Sequence, residues 1–334
     1  MTASPAPALY DVGIAGAGQL ARMTCLAAWP LGIRVAVLGH PDEPSAPMAA
    51  GLIEGDWKDA AAVRRLGTVV GVVTLENEFV DAGALAAVQA TGTPVRPNAG
   101  AMATVQDKAL QKQMLHDAGL PVPRFAVAER ADDLPAIGRD LGWPLMLKAR
   151  KLGYDGYGNA TCADPRQARE AFDRLNAGDG VLVEAMVPFA LELAAMVARS
   201  VSGAEAVYPV VQTVQRNHVC HEVIVPAPVG AGVLARASDI ASAAARAGRG
   251  LGVMGVELFL LDSGEVLVNE LAPRPHNSGH YTIEACETSQ FENHLRGILD
   301  LPLGDVALRR GGAAMVNLLG TRTGPARPER AGAL

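Results

Sequence analysis

Cysteine is scarce: the 334 residues hold four (Cys25, Cys162, Cys220 and Cys286), and no two form a C-x-x-C pair. That argues against a disulfide framework or a structural zinc site and fits a reducing, cytoplasmic setting. Long apolar runs are missing too, with no stretch of the roughly 18 residues that a membrane span needs. The first residues lack a basic stretch ahead of an apolar one, so no secretory leader is expected. Positive charge is not in excess: 29 Lys and Arg face 35 Asp and Glu, a net charge of −6, which makes nucleic acid an unexpected partner. A few well-placed cations could still receive a phosphate. What the chain has in quantity is apolar residues, 49% against 19% charged, so a sizeable core is available and global disorder is excluded. At roughly 150 residues per domain, the length suggests two domains or three small ones.

Near the N-terminus, Tyr10–Ala15 reads as a strand that leads through a glycine turn into a helix over Gln19–Ala28. Arg34–Leu38, Val69–Leu75 and the short Thr93–Arg96 read as further strands. Strands separated by helical segments predict a parallel sheet covered on both faces. Asp107–Gly119 reads as a helix with Leu110, Met114 and Leu115 on one face, stopped by Gly119 and Pro121. Prolines at 121, 123 and 135 put a boundary near residues 105–125. Beyond it, strands are expected at Trp143–Ala149, Gly180–Glu184, Leu191–Val201, Ala206–Gln212, Val253–Leu261 and Val266–Glu270, with an Ala-rich helix at Ser238–Arg249.

Several stretches carry chemistry. Gly16-Ala-Gly18-Gln-Leu-Ala21 follows a strand and opens a helix, where backbone N–H groups can meet a phosphate. A nicotinamide site would also want an acidic residue at the end of the second strand, and Gly39-His40 stands there instead. The loop therefore reads as a general phosphate-binding or tight-turn element. Lys148 ends an apolar strand just before the glycine-rich Gly153–Gly158, which reads either as a flap over a polyphosphate or as an ordinary hairpin. Glu257 and Glu270 lie in two apolar runs joined through Gly264, a hairpin that sets the carboxylates side by side. Two such carboxylates repel unless a cation sits between them, and Mg²⁺ shared with substrate phosphates fits that demand. The stretch 273–280 (Pro-Arg-Pro-His-Asn-Ser-Gly-His) offers an Arg, two His, an Asn and a Ser in a stiff loop suited to an anion. Glu76-Asn-Glu78 ends the third expected strand, at the edge where α/β proteins bind ligands, although a solvated turn accounts for it equally well. Cys286, His218 and His294 read as packing or surface residues, since no triad order accompanies them.

Taken together, the GAGQLARM opening, the Glu76-Asn-Glu78 strand end, Lys148 before GYDG and the run NELAPRPHNSGHYTIEACETSQFENHLR closely resemble the N5-carboxyaminoimidazole ribonucleotide synthetases. The resemblance extends from about Val12 to Leu319. It implies an α/β protein with the ATP-grasp fold and an N-terminal Rossmann-like (pre-ATP-grasp) parallel-sheet domain. The expected divisions are 1–105 for the Rossmann-like domain, 106–190 for the ATP-grasp lid with its linker, and 191–334 for the central domain. The implied reaction joins bicarbonate to 5-aminoimidazole ribonucleotide with ATP and Mg²⁺, by way of carboxyphosphate, in a cytoplasmic homodimer of the purine pathway.

By position, the resemblance implies that Lys108 and Lys148 meet the nucleotide, with Gly153, Tyr154, Asp155 and Gly156 in the flap. Glu184 to Val187 would form the adenine hinge and Glu192 the ribose contact. Glu257 and Glu270 would hold Mg²⁺ with Asn269 beside them, while Arg274, His276 and Asn277 would act on bicarbonate. Gly18, Gln19, Leu20, Glu76, Asp155 and Tyr157 would face the ribonucleotide. Three departures stand out. Tyr157 replaces the family's basic residue, and Gln215 falls where a His is common. The family also continues past Asn317–Gly320 with a basic substrate-phosphate segment that this chain lacks, so either a shortened chain or an exchanged acceptor is expected. An ATP-grasp ligase for another amine and a non-catalytic ATP-binding homologue are the alternatives.

Overall fold

A run such as Val35–Gly39, apolar at almost every position, is stable only where both faces of a sheet are covered. All five of its residues are buried in the computed structural model, which describes residues 8–151, 158–216 and 219–318. This run is β2 of a parallel sheet made of β1 (Tyr10–Ala15), β2, β3 (Gly51–Glu54) and β4 (Val70–Leu75), in the order β3-β2-β1-β4. Helix α1 (Gln19–Ala28) packs on one face, and α2 (Ala60–Gly67), α3 (Ala82–Ala90) and α4 (Ala99–Gln106) pack on the other. The limits of β1 and α1 coincide with the expected ones, whereas β3, a four-residue edge strand, was not anticipated. Thr93–Arg96 is not a strand. It makes two hydrogen bonds to Val73, each 2.9 Å, through Pro94 O and Arg96 N. Pro94 and Pro97 have no N–H with which to extend the ladder.

Helix α5 (Lys108–Asp117) follows and is capped by Asp107, whose Oδ1 accepts from Ala109 N and Leu110 N while the carboxylate also ion-pairs with Arg150. The buried residues of α5 are Ala109, Gln111, Lys112 and Leu115, so the expected apolar face is corrected: Leu110 is 48% exposed and two polar residues point inward. They do so because β14 (Val266–Ala272) is the last strand of its sheet and its outer polar groups need partners. Gln111 supplies them as a strand would, with Leu271 N donating to Gln111 Oε1 (2.8 Å) and Gln111 Nε2 donating to Leu271 O (3.3 Å).

The second sheet is antiparallel, in the order β5-β8-β6-β7, from β5 (Phe125–Ala128), β6 (Leu145–Ala149), β7 (Asn159–Cys162) and β8 (Val181–Ala185). It carries α6 (Leu134–Leu141) and α7 (Pro165–Leu175). Asp164 at the N-cap and Pro165 at the first turn start α7, which buries Ala168, Ala171, Phe172 and Leu175 at helical spacing.

The third sheet runs β14-β13-β9-β11-β12-β15, with β10 added to β9. Its strands are β9 (Phe189–Arg199), β10 (Glu205–Val207), β11 (Val211–Arg216), β12 (Val219–Val225), β13 (Gly252–Leu261), β14 (Val266–Ala272) and β15 (Ala313–Val316). The single strand expected over Ala206–Gln212 is split into β10 and β11 around Pro209, which has no N–H to give β9. Helix α8 (Ala231–Ala247) begins seven residues before the expected Ser238 and lays Ala237, Ala241, Ala244 and Ala245 on the sheet.

Two further helices, α9 (Thr282–Ala285) and α10 (Gln290–Ile298), cover the opposite face. Leu295 and Ile298 of α10 also enter the core of the first sheet. From the same helix, His294 Nδ1 accepts from Val253 N (3.0 Å) and Nε2 lies 2.9 Å from Thr74 Oγ1, joining β13 to β4. With Nδ1 as acceptor, a neutral ring carries its hydrogen on Nε2 and donates it to Thr74. Burial lowers the His294 pKa from 6.5 to about 4. The neutral ring thus contributes its full stability above pH 6.5 and loses it as pH falls toward 4. Urea titrations from pH 7 to 4 should show a loss that is about 3 kcal/mol smaller in His294→Gln; equal slopes in both proteins would refute the assignment.

Candidate active site

The β13–β14 hairpin puts Glu257 and Glu270 opposite one another in register. Adjacent buried carboxylates cannot both stay charged without a cation. Here Lys108 Nζ lies 2.5 Å from Glu270 Oε2. Asn269 Nδ2 approaches Glu257 Oε2 at 3.4 Å, and His276 Nε2 is 3.4 Å from Glu257 Oε1. Burial and then the Glu270 charge push the pKa of the Glu257 carboxyl up. Burial opposes ionisation of Glu270 as well, but Lys108 and Lys148 outweigh it and keep Glu270 charged. Two facing carboxylates served by a single lysine thus stand where a divalent cation's charge would be welcome. Among the described residues no group of three or more His, Cys, Asp or Glu could hold a metal. Two carboxylates and an amide suit Mg²⁺, which takes its remaining oxygens from substrate phosphates and water.

Next to this pair lies a buried cluster of lysines. Lys148, at the end of β6, is 2.7 Å from Glu184 Oε2 and 3.3 Å from Asn269 Oδ1. Lys112, from α5, is 2.8 Å from Glu184 Oε1 and donates to Asn269 O (2.7 Å) and Val268 O (3.4 Å). Burial opposes ionisation of Glu184, yet Lys112 and Lys148 take its pKa down to about 2. Glu184 therefore spends its side chain on the lysines, and the backbone over 185–187, with Met186 exposed, forms the passage to β9. Val187 O accepts from Phe189 N (3.0 Å), and the Phe189 ring stacks on Phe259 with centroids 4.7 Å apart. Glu192 lies across from Phe259 on β9, half-buried, with its pKa raised by burial.

The loop after β14 carries the other half of the site. Arg274 makes a two-pronged ion pair with Glu78, through Nε and through Nη2 (3.0 Å), and Nη1 donates to Pro275 O (3.2 Å). Gln290, fully buried, clamps the His276 backbone: its Oε1 accepts from His276 N (3.0 Å) and its Nε2 donates to His276 O (2.7 Å). His276 Nδ1 is 2.8 Å from Ser278 Oγ, and burial followed by the Arg274 charge takes the ring to a pKa of about 4, so it is neutral at pH 7. Gly255 makes room for it, since a Cβ there would lie 2.8 Å from His276 Cβ. Asn277 Oδ1 is buried without a hydrogen-bond partner among the described residues.

The glycine loop before α1 is occupied by the protein's own acid. Gly18 N donates to Glu76 Oε2 (2.6 Å), and the amides of Ala21 and Leu20 add to the hold on a carboxyl whose pKa burial nonetheless raises. A Cβ at Gly18 would come within 2.3 Å of Glu76 Oε1, so this glycine serves the close approach of Glu76. Gln19 starts the helix beside it. Gly153, Tyr154, Asp155, Gly156 and Tyr157 lie outside the described residues.

A cavity of about 220 Å³ lies beside the Glu257–Glu270 pair, lined by Glu78, Phe79, Lys108, Gln111, Lys151 and Glu270 among others. The structure thus brings together Lys108, Lys148, Glu184, Glu257, Asn269, Glu270, Arg274 and His276, and places Glu76 with Gly18 at the α1 turn. Sequence reasoning missed Lys112, Glu78 and Gln290 as members of the site. Lys112 was visible one helical turn after Lys108, and Gln290 in the S-Q-F-E run. Nothing local distinguished Glu78 from Glu76.

Comparison with known proteins gives the family. The ribonucleotide synthetase preATP-grasp domain matches residues 9–106, and the ATP-grasp domain matches residues 113–291. The N5-carboxyaminoimidazole ribonucleotide synthase of Synechococcus elongatus is 43% identical, covering 96% of this chain and 81% of that one. A phosphoribosylaminoimidazole carboxylase of Schizosaccharomyces pombe is 41% identical, covering 93% of this chain and 57% of that one. The carboxyaminoimidazole ribonucleotide synthase of Aspergillus clavatus, solved with ATP, superposes with a TM-score of 0.88 at 37% identity, covering 97% of this chain and 85% of that one. The same fungal enzyme solved with ADP and 5-aminoimidazole ribonucleotide also gives 0.88, at 36% identity over 96% and 84% of the two chains. On its fold, its site and these relatives together, the chain belongs to the N5-carboxyaminoimidazole ribonucleotide synthase family.

Proposed function

We propose that this protein uses ATP to carboxylate the amine of 5-aminoimidazole ribonucleotide with bicarbonate, forming N5-carboxyaminoimidazole ribonucleotide, ADP and phosphate. The supporting observation is one connected path from the phosphate side to the anion side of the site. It runs from Lys148 to Asn269 (3.3 Å), on to Glu257 (3.4 Å) and then to His276 (3.4 Å). A bicarbonate oxygen attacks the γ-phosphorus, the bond to ADP breaks, and carboxyphosphate results. The amine nitrogen then attacks the carbonyl carbon, loses a proton, and phosphate leaves. Lys148 stabilises charge on the transferred phosphoryl group, and Arg274 with neutral His276 orients the small anion, so the protein works chiefly by positioning and electrostatics. Mg²⁺ held by Glu257 and Glu270 would neutralise phosphate charge there.

The setting we favour is a cytoplasmic homodimer. All four cysteines are unpaired and buried, which supports a reducing compartment. Among the described residues no helix is long and apolar enough to cross a membrane. Exposed Leu26 and Trp29 on and just after α1 support association. A ligase for a different amine is the second reading, favoured by Tyr157 at the family's basic position.

The deciding assay is ADP release from Mg-ATP and bicarbonate, with and without 5-aminoimidazole ribonucleotide. Strong stimulation by the ribonucleotide is expected. Unstimulated release would move the reading to another acceptor, and no release would leave an ATP-binding protein without this activity.

A further inference from the structure

Glu184 is one carboxylate between two ammonium groups, with one oxygen for each: Oε1 faces Lys112 at 2.8 Å and Oε2 faces Lys148 at 2.7 Å. Two positive charges and one negative leave a surplus of one. Where that surplus resides is decided by what else the lysines touch. Lys112 has a side chain only 3% exposed, and its remaining contacts are the backbone oxygens of Val268 and Asn269. Two of its hydrogens go to those backbone oxygens and its charge faces Glu184, inside the protein between α5, β8 and β14 and away from the solvent side. Lys148 stands at the end of β6, and its further contact is the neutral Asn269 amide. Lys108, the other cation nearby, is already paired with Glu270.

We infer that Lys112 is a positioning residue for nucleotide binding: by taking up the charge of Glu184 from behind, it leaves the Lys148 charge available to a polyphosphate. This rests on the reading that Lys148 meets ATP phosphates. Without the Lys112 charge, Glu184 and Lys148 form a neutral pair, and an incoming phosphate gains nothing from it. The arrangement also orients. With Glu184 drawn from both sides, its carboxylate cannot swing to follow Lys148 toward the ligand.

The test is Mg-ATP affinity by calorimetry for the parent, Lys148→Met, Lys112→Gln and the double variant Lys112→Gln/Glu184→Gln, with melting curves for each. Lys112→Gln should weaken binding by about tenfold to hundredfold, the scale of one charged contact. The double variant should bind more tightly than Lys112→Gln alone, by about threefold or more, since the surplus charge on Lys148 is restored. A merely structural Lys112 would make the double variant worse, not better. Lys112→Arg keeps the charge and should keep the affinity even if its melting temperature drops; loss of affinity in a folded Lys112→Arg overturns the inference. Weak binding in Lys148→Met together with normal binding in Lys112→Gln also overturns it, leaving the nucleotide reading intact. Normal binding in Lys148→Met removes the nucleotide reading itself.

Discussion

Glu270→Gln is expected to reduce Mg²⁺-dependent ATP turnover by about 10³-fold, the scale seen when a preorganised charge partner is lost from a reaction site. Glu270 is the carboxylate of the hairpin pair that stays ionised, and it also holds Lys108. Glutamine keeps the size and the backbone but removes the charge that holds Lys108 and that would hold Mg²⁺ in the proposed site. The loss should reach binding as well as turnover. Manganese titrated into the protein with a non-hydrolysable ATP analogue should bind the parent and bind Glu270→Gln far more weakly. Turnover within tenfold of the parent, or unchanged manganese binding, would remove Glu270 from the metal site.

Arg274→Lys should lower bicarbonate-dependent ADP release by about 10²-fold while leaving ATP affinity nearly unchanged. The guanidinium meets Glu78 through two nitrogens on one side, which leaves an N–H on each terminal nitrogen to face a planar anion from the end. Lysine preserves the charge, so Glu78 is not left as a lone buried carboxylate, but a point charge cannot be held in that orientation. The loss should fall on the bicarbonate KM and on kcat together. A variant that loses ATP affinity instead would place Arg274 on the nucleotide, and one with normal bicarbonate kinetics would make the Glu78 pair purely structural.

Much of this was legible in the chain itself. The apolar runs of β1 and β2, the limits of α1, and the hairpin that faces Glu257 with Glu270 all follow from local pattern and turn residues. The loop with Arg274 and His276 announced itself by its density of donors. What escaped is what depends on distant partners. Lys112 looks like any exposed helical lysine until β14 and β8, 156 residues downstream in the first case, supply its acceptors. Glu78 meets Arg274 across 196 residues, and His294 meets Thr74 across 220. No periodicity records such pairings. The polar face of α5 ran against the pattern for the same reason: its burial answers to hydrogen-bonding groups of another strand, not to apolar area.

That face of α5 has a consequence for how the protein keeps to itself. β14 ends its sheet, and a terminal strand with open amides and carbonyls is a template on which a foreign strand can grow. Here Val268 N donates to Pro121 O (2.7 Å), Leu271 is satisfied in both directions by Gln111, and Val268 and Asn269 present their oxygens to Lys112. Side chains of a helix, with one backbone carbonyl of the segment that follows it, thus close the strand that bears Glu270 against recruitment into mixed sheets with other chains. Loosening α5 would expose that template together with the site, so loss of activity and the onset of aggregation should begin at the same temperature.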